Sequence, residues 1–336
     1  MVVHSTSGTP ALSVLLDRIS FLVNHADIFM VNQEALNLLN RLKEAEGPVS
    51  GAALARRLGV SRVALWKRFE ALRAAGYPVT ANRSGYSLVP TDKPLSWEFS
   101  EGEQVIHFDT VGSTMDEAFR LAQEGLTEAA VVAEHQNAGR GKADNHWVSE
   151  GGDLLVTLIL RPKLPLSFAG ALGLEALAAL ADTLAELYGL TLTLKWPNDL
   201  MADGRKVAGV LIEASGPADR PRFYTVGLGL NVHGLPNLDR PVTSVEALGR
   251  PQADRRVVLA DWRSRLSRWA SDPRPNPARW TGLTNLPHRI TVETFDDLKV
   301  TGIPQGFDRS GGLLLSRADT TIPIRYGEAR TLGVSS

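Results

Sequence analysis

From residue 33 to residue 76, apolar residues recur at helical spacing between short breaks. Leu36, Leu39 and Leu42 predict a helix over residues 33–45, which Gly47-Pro48 ends. Ser50 is placed to cap a second, short helix through Ala53, Leu54 and Leu58, closed by Gly59. Ser61 is placed to cap a third that runs to Gly76, with Leu65, Phe69 and Leu72 at i, i+4 and i+7 facing a core. Residues 77–89 then predict a β-hairpin turning at Asn82-Arg83-Ser84-Gly85. Helix, short turn, helix and hairpin is the winged helix-turn-helix order, whose second helix enters the DNA major groove. Pro90 to Pro94 is polar and proline-bounded, as a linker would be.

Beyond residue 104 the pattern changes to short apolar strands alternating with helices. Strands are predicted over 104–108, 129–134, 153–160, 191–195, 206–213 and 223–232. Residues 168–188 form an Ala/Leu-rich helix apolar on all sides, which predicts burial against a sheet. After Pro287 only short strands and glycine turns such as Asp308-Arg309-Ser310-Gly311-Gly312 remain, predicting a small β-barrel. The fold class is therefore α+β. The expected domains are a winged helix-turn-helix over 31–90, a central mixed α/β domain over 98–275 and a small barrel over 283–334. Residues 1–30 carry no readable pattern and stand as an unassigned leader, with Met30 as an alternative start.

Charge changes the picture in one place. The net charge is -1, but residues 50–90 carry Arg56, Arg57, Arg62, Lys67, Arg68, Arg73 and Arg83 against Glu70 alone. A basic module in a neutral chain fits either a polyanion partner or a solvated helix surface. The absence of Cys excludes a disulfide framework, a thiolate zinc site and a cysteine thioester mechanism. No uninterrupted apolar run reaches the roughly 18–20 residues of a bilayer span, and no basic secretory start is present. A cytoplasmic, reduced location is the expectation.

Four segments of the central region are candidates for chemistry. Val111-Gly112-Ser113-Thr114-Met115 places hydroxyls at a strand-to-helix turn, where they can cap the helix or face a ligand. Gln136-Asn137-Ala138-Gly139-Arg140-Gly141-Lys142, followed by Asn145 and Trp147, interleaves glycines with cations in a loop able to close over an anion. It lacks the spacing and the hydroxyl of a Walker loop. Leu194-Lys195-Trp196-Pro197-Asn198-Asp199-Leu200 delivers a lysine at a strand end before a turn. Arg205-Lys206-Val207-Ala208-Gly209-Val210-Leu211-Ile212-Glu213 and Gly227-Leu228-Gly229-Leu230-Asn231 place glycines inside strands. That pattern fits a flat ligand crossing the sheet, or strand crossing and curvature.

Taken together, in order and over about residues 33–334, these segments resemble the biotin protein ligase family, with Lys195 to Leu200 the most specific part. The N-terminal Ser61-Arg62, Lys67, Leu72-Arg73, Gly76 and Gly85-Tyr86-Ser87-Leu88 resemble the winged helix of its bifunctional ligase/repressor form. The resemblance implies an SH3-like C-terminal barrel and synthesis of biotinyl-5′-AMP from biotin and ATP with Mg²⁺. Biotin then passes to one lysine of the biotin carboxyl carrier domain of a carboxylase. It implies Lys195 and Arg140 as catalytic. Ser113, Thr114, Met115, Gln136, Arg140, Gly141, Lys142, Lys195 and Gly209 would hold biotin. Arg140, Lys142, Asn145, Trp147, Asn198, Lys206 and Asn231 would hold ATP or the adenylate. No dedicated metal site is expected; Mg²⁺ would come with ATP, with Asn198 as a candidate contact. Ser61, Arg62, Trp66, Lys67, Arg73 and Arg83 would meet operator DNA, with a homodimer forming when the adenylate is bound.

The chain departs from the bacterial pattern Gly-Arg-Gly-Arg-x-Gly-Arg-x-Trp at Lys142, Asp144 and Asn145. A forked guanidinium becomes a point charge, a second arginine becomes an amide and a carboxylate is added. A less basic lid with weaker retention of the adenylate is expected. A lipoate or octanoate ligase of the same fold is the alternative enzyme, and a ligand-sensing repressor without ligase activity the alternative binder. The Lys195 segment and Arg140 favour the biotin ligase.

Overall fold

The computed structural model describes residues 33–99, 104–142, 145–235, 241–294, 298–317 and 320–334. The leader expected over 1–30, and Ala143 and Asp144 of the basic loop, lie outside the described residues. The chain divides into two compact units, Met1–Gln104 and Val105–Ser336.

In the first unit, helices α1 (Gln33–Lys43), α2 (Gly51–Leu58) and α3 (Arg62–Ala74) precede a hairpin of β1 (Val79–Asn82) and β2 (Gly85–Leu88). The expected caps are present. Ser50 Oγ accepts from Ala53 N, Ser61 Oγ accepts from Ala64 N, and Gly59 ends α2 in the left-handed conformation at φ 66°. Leu65, Phe69 and Leu72 are buried against Leu38, Leu39 and Leu54, each burial worth about 1.5–3 kcal/mol. The Phe69 ring stacks on Tyr86 at 3.9 Å, which fixes the hairpin to α3. Arg68 pairs with Glu34 at 2.9 Å and ties α3 to α1. The opposite side of α3 is left to solvent: Arg62, Val63, Trp66, Lys67 and Arg73 are exposed.

The second unit is built on a seven-stranded sheet in the order β3-β4-β5-β9-β8-β7-β6. Its strands are β3 (Val105–Val111), β4 (Ala129–Gln136), β5 (Leu154–Leu160), β6 (Thr193–Lys195), β7 (Asp199–Ala202), β8 (Arg205–Ser215) and β9 (Phe223–Leu230). Only β3 and β4 run parallel, joined through α4 (Thr114–Gln123); every other pairing is antiparallel. The parallel-sheet rule that ligands gather at carboxyl ends of strands is therefore not what places the site.

Helix α5 (Ala169–Tyr188) lies against this sheet and against α6 (Arg255–Ser271). By length and composition the stretch Leu166–Tyr188 could cross a membrane, which the reading by uninterrupted apolar runs passed over. Its residues are instead buried in the core, and Trp262 Nε1 on α6 donates to Ala176 O at 2.9 Å. Its buried acid Glu175 is satisfied by Arg279 and by Trp280 Nε1 at 3.1 Å, both on α7 (Pro277–Gly282). Neither α6 nor α7 was expected, because arginines interrupt their apolar spacing.

The C-terminal strands β10 (Ile290–Thr294), β11 (Lys299–Phe307), β12 (Leu313–Arg317), β13 (Thr320–Ile324) and β14 (Ala329–Val334) form an antiparallel sheet in the order β13-β12-β11-β10-β14. A register shift between Pro304 and Gly306 bends β11, so its first half pairs with β10 and its second with β12. The β11–β12 turn is organised by Asp308 Oδ1, which accepts from Ser310 N at 2.8 Å and Gly312 N at 2.9 Å. It carries Gly311 at φ 85°, and a Cβ there would stand 2.3 Å from the Gly170 carbonyl carbon. Gly311→Ala therefore combines left-handed strain with overpacking and should cost about 2–3 kcal/mol. The expected outcome is a melting transition lowered by several degrees; an unchanged melt would show that this turn does not seat the sheet on α5.

Candidate functional site

The β3–α4 turn gives the site its hydroxyls. Ser113 caps α4, its Oγ accepting from Met115 N at 3.2 Å, as the plain capping reading requires. Thr114 is held differently. Its backbone N and its hydroxyl both donate to Gln136 Oε1, at 2.7 and 3.1 Å, and Thr157 Oγ1 donates to Thr114 Oγ1 at 2.9 Å. The start of α4 and the strands β4 and β5 thus contribute to one polar cluster beside the basic loop.

That loop is stitched down along its length. Asn137 N donates to Val111 O at 2.9 Å, Ala138 N to Gly112 O at 2.8 Å and Trp147 N to Gly139 O at 3.0 Å. Arg140 bridges two carboxylates, Asp116 on α4 at 2.5 Å and Glu213 on β8. Burial alone would lower its pKa; the hydrogen bond it donates to Asp116 and the charge of Glu213 outweigh burial and raise it. Asn145 is used within the loop, its Nδ2 donating to Lys142 O at 2.9 Å. Lys142 reaches towards the C-terminal sheet, where its Nζ donates to the Tyr326 carbonyl at 3.2 Å and lies 5.4 Å from the Tyr326 ring centre. Burial brings Lys142 down to about 8, against the opposing charge of Asp199.

The Lys195 segment is the β6–β7 hairpin, with Lys195 and Asp199 paired across it. Asn198 is fixed by mutual bonds with β8: Val210 N donates to its backbone O, and its Nδ2 donates to Val210 O, both at 3.0 Å. Trp196 is buried and donates from Nε1 to Gly311 O at 3.0 Å. Lys195 stands exposed at the hairpin end, with no ion pair among the described residues. Lys206 on β8 pairs with Asp199 at 2.5 Å and lies 5.3 Å from the Trp147 ring centre.

The strand glycines have a different use from the one expected. A Cβ on Gly229 would stand 2.4 Å from the Trp147 ring, and one on Gly227 would stand 2.5 Å from Met115 Sδ. Protein side chains, not an open face for a ligand, occupy those places. Gly209 likewise makes room for Lys206, whose Nζ would lie 2.9 Å from an added Cβ.

These elements enclose a cavity of about 200 Å³, below the ~300–1,000 Å³ of most small-molecule pockets because Trp147, Lys142 and Lys206 project into it. Its walls bring together Ser113, Thr114, Met115, Gln136, Arg140, Gly141, Lys142, Asn145, Trp147, Lys195, Asn198, Lys206 and Gly209 from the sequence reading. Asn231 is not on the wall; it is buried, and its Nδ2 donates to Thr243 O at 3.0 Å. Two contributors carried no sequence signal of their own, Asp116, which holds Arg140, and Tyr326, which holds Lys142; Glu213, the second acid on Arg140, closed the Arg205 segment but was given no role. Asp199 was present in the Lys195 segment but given no role.

Electrostatically the wall is one-sided. Among the described residues of the wall, four cations, Arg140, Lys142, Lys195 and Lys206, face one carboxylate, Asp199, which Lys206 neutralises, while Asp116 and Glu213 behind the wall pair with Arg140. Such a cavity suits anions. No cluster of three His, Cys, Asp or Glu able to hold a metal occurs among the described residues. With Asp199 paired and the Asn198 amide nitrogen engaged, the Asn198 side-chain oxygen is a neutral contact that this wall could offer to a metal ion carried on a bound anion. In the first unit, Arg62, Trp66, Lys67 and Arg83 are exposed, whereas the Ser61 hydroxyl caps α3 and Arg73 pairs with Glu70 at 2.6 Å.

Comparison with known proteins gives the same picture. Residues 106–231 match the model of the Biotin/lipoate A/B protein ligase family, and residues 34–87 match an HTH domain model. The chain is 38% identical over 229 residues to the bifunctional ligase/repressor BirA of Bacillus subtilis, covering 63% of this chain and 70% of that one. It is 29% identical over 296 residues to the BirA of Escherichia coli, covering 83% and 91%. Among solved structures, the biotin protein ligase from Aquifex aeolicus in complex with biotin and ATP is similar at a TM-score of 0.58 and 25% identity, covering 69% of this chain and 99% of that one. The protein belongs to the biotin protein ligase family, in the form that carries an N-terminal helix-turn-helix domain.

Proposed function

We propose that the chain activates biotin with ATP to biotinyl-5′-AMP, transfers biotin to one lysine of a biotin carboxyl carrier domain, and represses transcription by binding operator DNA. It would act in the cytoplasm. The observation that carries the enzyme reading is the convergence of Lys195, Arg140, Lys142 and Lys206 on one cavity whose wall, among the described residues, holds a single, already paired carboxylate. In the first step a carboxylate oxygen must approach the α-phosphorus of a nucleotide, and two anions repel unless fixed cations lie between them. Lys195, which pairs with no carboxylate among the described residues, is the cation available to bridge the two. Arg140 is positioned by Asp116 and Glu213 so that its loop is held over the cavity before anything binds. The Thr114–Gln136–Thr157 cluster offers fixed hydrogen bonds for the ureido ring of biotin, and Gly209, which leaves room for the Lys206 side chain, lines the same cavity. Pyrophosphate leaves in the first step; in the second, the neutral amine of the carrier lysine attacks the acyl carbon and AMP leaves.

The DNA reading rests on the exposed outer side of α3, with Arg62, Trp66 and Lys67, and on the hairpin tip at Arg83. Cations there would contact phosphate, while Trp66 would add an apolar contact in the groove. Adenylate binding would favour a homodimer, whose two winged helices match a palindromic operator.

Three outcomes are expected. Lys195→Ala should slow adenylate formation by about 10²–10³-fold, the scale of one transition-state charge stabiliser; a variant within tenfold of the parent would remove Lys195 from catalysis. Arg140→Gly should release the adenylate, raising label on bystander lysines of an added albumin at least tenfold while the carrier domain is still labelled. Unaltered acceptor selectivity would deny Arg140 a retaining role. Finally, sedimentation and gel shift with and without biotin plus ATP should show a heavier species and tighter operator binding only when both are present. Mass and affinity indifferent to them would leave the module without a biotin-dependent switch.

A further inference from the structure

Four cations line the cavity, and their chemistry differs. Arg140 is held by two carboxylates, and a guanidinium does not give up its proton near neutral pH. Lys206 is paired with Asp199 at 2.5 Å. Lys195 is exposed to water. Lys142 is unlike all three. It is half-buried, and among the described residues no carboxylate pairs with it and the one polar contact of its amine is the Tyr326 carbonyl at 3.2 Å. Its Nζ lies 5.9 Å from the Trp196 ring centre and 5.4 Å from that of Tyr326. A neutral amine can keep one N–H on that carbonyl and present its lone pair to the cavity that Lys142 lines. The family pattern has arginine at this place, which has no such lone pair.

We infer that Lys142 is itself an acyl acceptor: when no carrier domain is present, its amine takes the acyl group of an adenylate held in the cavity and forms a stable amide on the chain's own loop. This rests on the cavity being an acyl-adenylate site. In the step, the amine nitrogen attacks the acyl carbon and a C–N bond forms. The C–O bond to the phosphate breaks, AMP leaves with that electron pair, and the surplus proton passes to water. No oxidant, reductant or further reactant is needed. The product removes a cation from the wall and fills the cavity, so the chain would switch off its own ligase activity when acceptor is scarce.

The charged and titratable groups that face Lys142 set its pH response. Among the described residues they are Asp199 on β7, Lys206 on β8, Lys195 on β6, Tyr326 from the C-terminal sheet, and Arg140 and His146 on its own loop. Asp199 is compensated by Lys206, so burial dominates and holds Lys142 at about 8. Its neutral fraction then rises from about one-tenth at pH 7 to about nine-tenths at pH 9, whereas an ordinary lysine near 10.4 keeps gaining above that.

The test uses the full chain and synthetic biotinyl-5′-AMP, without carrier, biotin or ATP, followed by digestion and mass spectrometry to locate the amide. Biotin-dependent pyrophosphate exchange is measured separately on the same preparation. The expected result is one biotinyl group at Lys142, formed roughly tenfold faster at pH 9 than at pH 7 with little further gain, and lost at least tenfold in Lys142→Arg. Label spread over exposed lysines with a rate still climbing above pH 9, or no covalent label at all, overturns the inference whatever the exchange shows. Label at Lys142 without exchange would keep the inference and overturn the activation step instead.

Discussion

The site depends on a stretch of sheet from which side chains have been removed. Where β9 passes under the basic loop, Gly227 and Gly229 leave the space in which Met115 and Trp147 lie, since a Cβ at either position would come within 2.5 Å of them. With Trp147 seated on Gly229, the far end of the loop is anchored, and Gly139 is close enough for its carbonyl to accept from Trp147 N at 3.0 Å. Arg140 then reaches Asp116 and Glu213. Two missing methyl groups in one strand thus determine where a guanidinium comes to rest on the other side of the cavity.

Charge is distributed over that frame with similar economy. A cavity that concentrated four unpaired cations would be costly to fold, because removing charge from water is expensive unless it is paired. Arg140 and Lys206 are paired, Lys142 is brought down by burial, and Lys195 keeps its hydration at the mouth. The favourable field for an anion is retained while the folded chain bears little of the desolvation cost. An incoming phosphate or carboxylate would complete the compensation that the protein leaves unfinished.

Much of this was readable from the residues alone. Caps at Ser50 and Ser61, the buried positions of α3 and the hairpin at Asn82 to Gly85 follow from local rules, because each needs only neighbours within a few residues. The cavity wall was also foreseeable, since its lysines and arginine lie in compact motifs. What could not be read comes from long-range pairing. Asp116 is one acid among several on α4 until β8 brings Glu213 beside the same guanidinium. Asn231 looked like a ligand residue, but the strand end turns it into the core, where it donates to Thr243 O. The glycines of β9 announced a close approach without saying what approaches, and the answer was the protein's own tryptophan.

The C-terminal sheet shows most clearly why a site should not be drawn from its motifs alone. Its strands contain no catalytic residue type in a recognisable pattern, yet the β11–β12 turn accepts the Trp196 N–H at Gly311, and the turn after β13 supplies the carbonyl and the ring that hold Lys142. Trp196 adjoins Lys195, so the position of the exposed ammonium is coupled through a buried indole to a turn more than a hundred residues away in the chain. Gly311 also presses on Gly170 at the start of α5, leaving no room for either backbone to retreat. The small sheet is thereby part of the cavity's wall as well as a domain: it fixes the hairpin that carries one cation and sets the hydration, and hence the reactivity, of another.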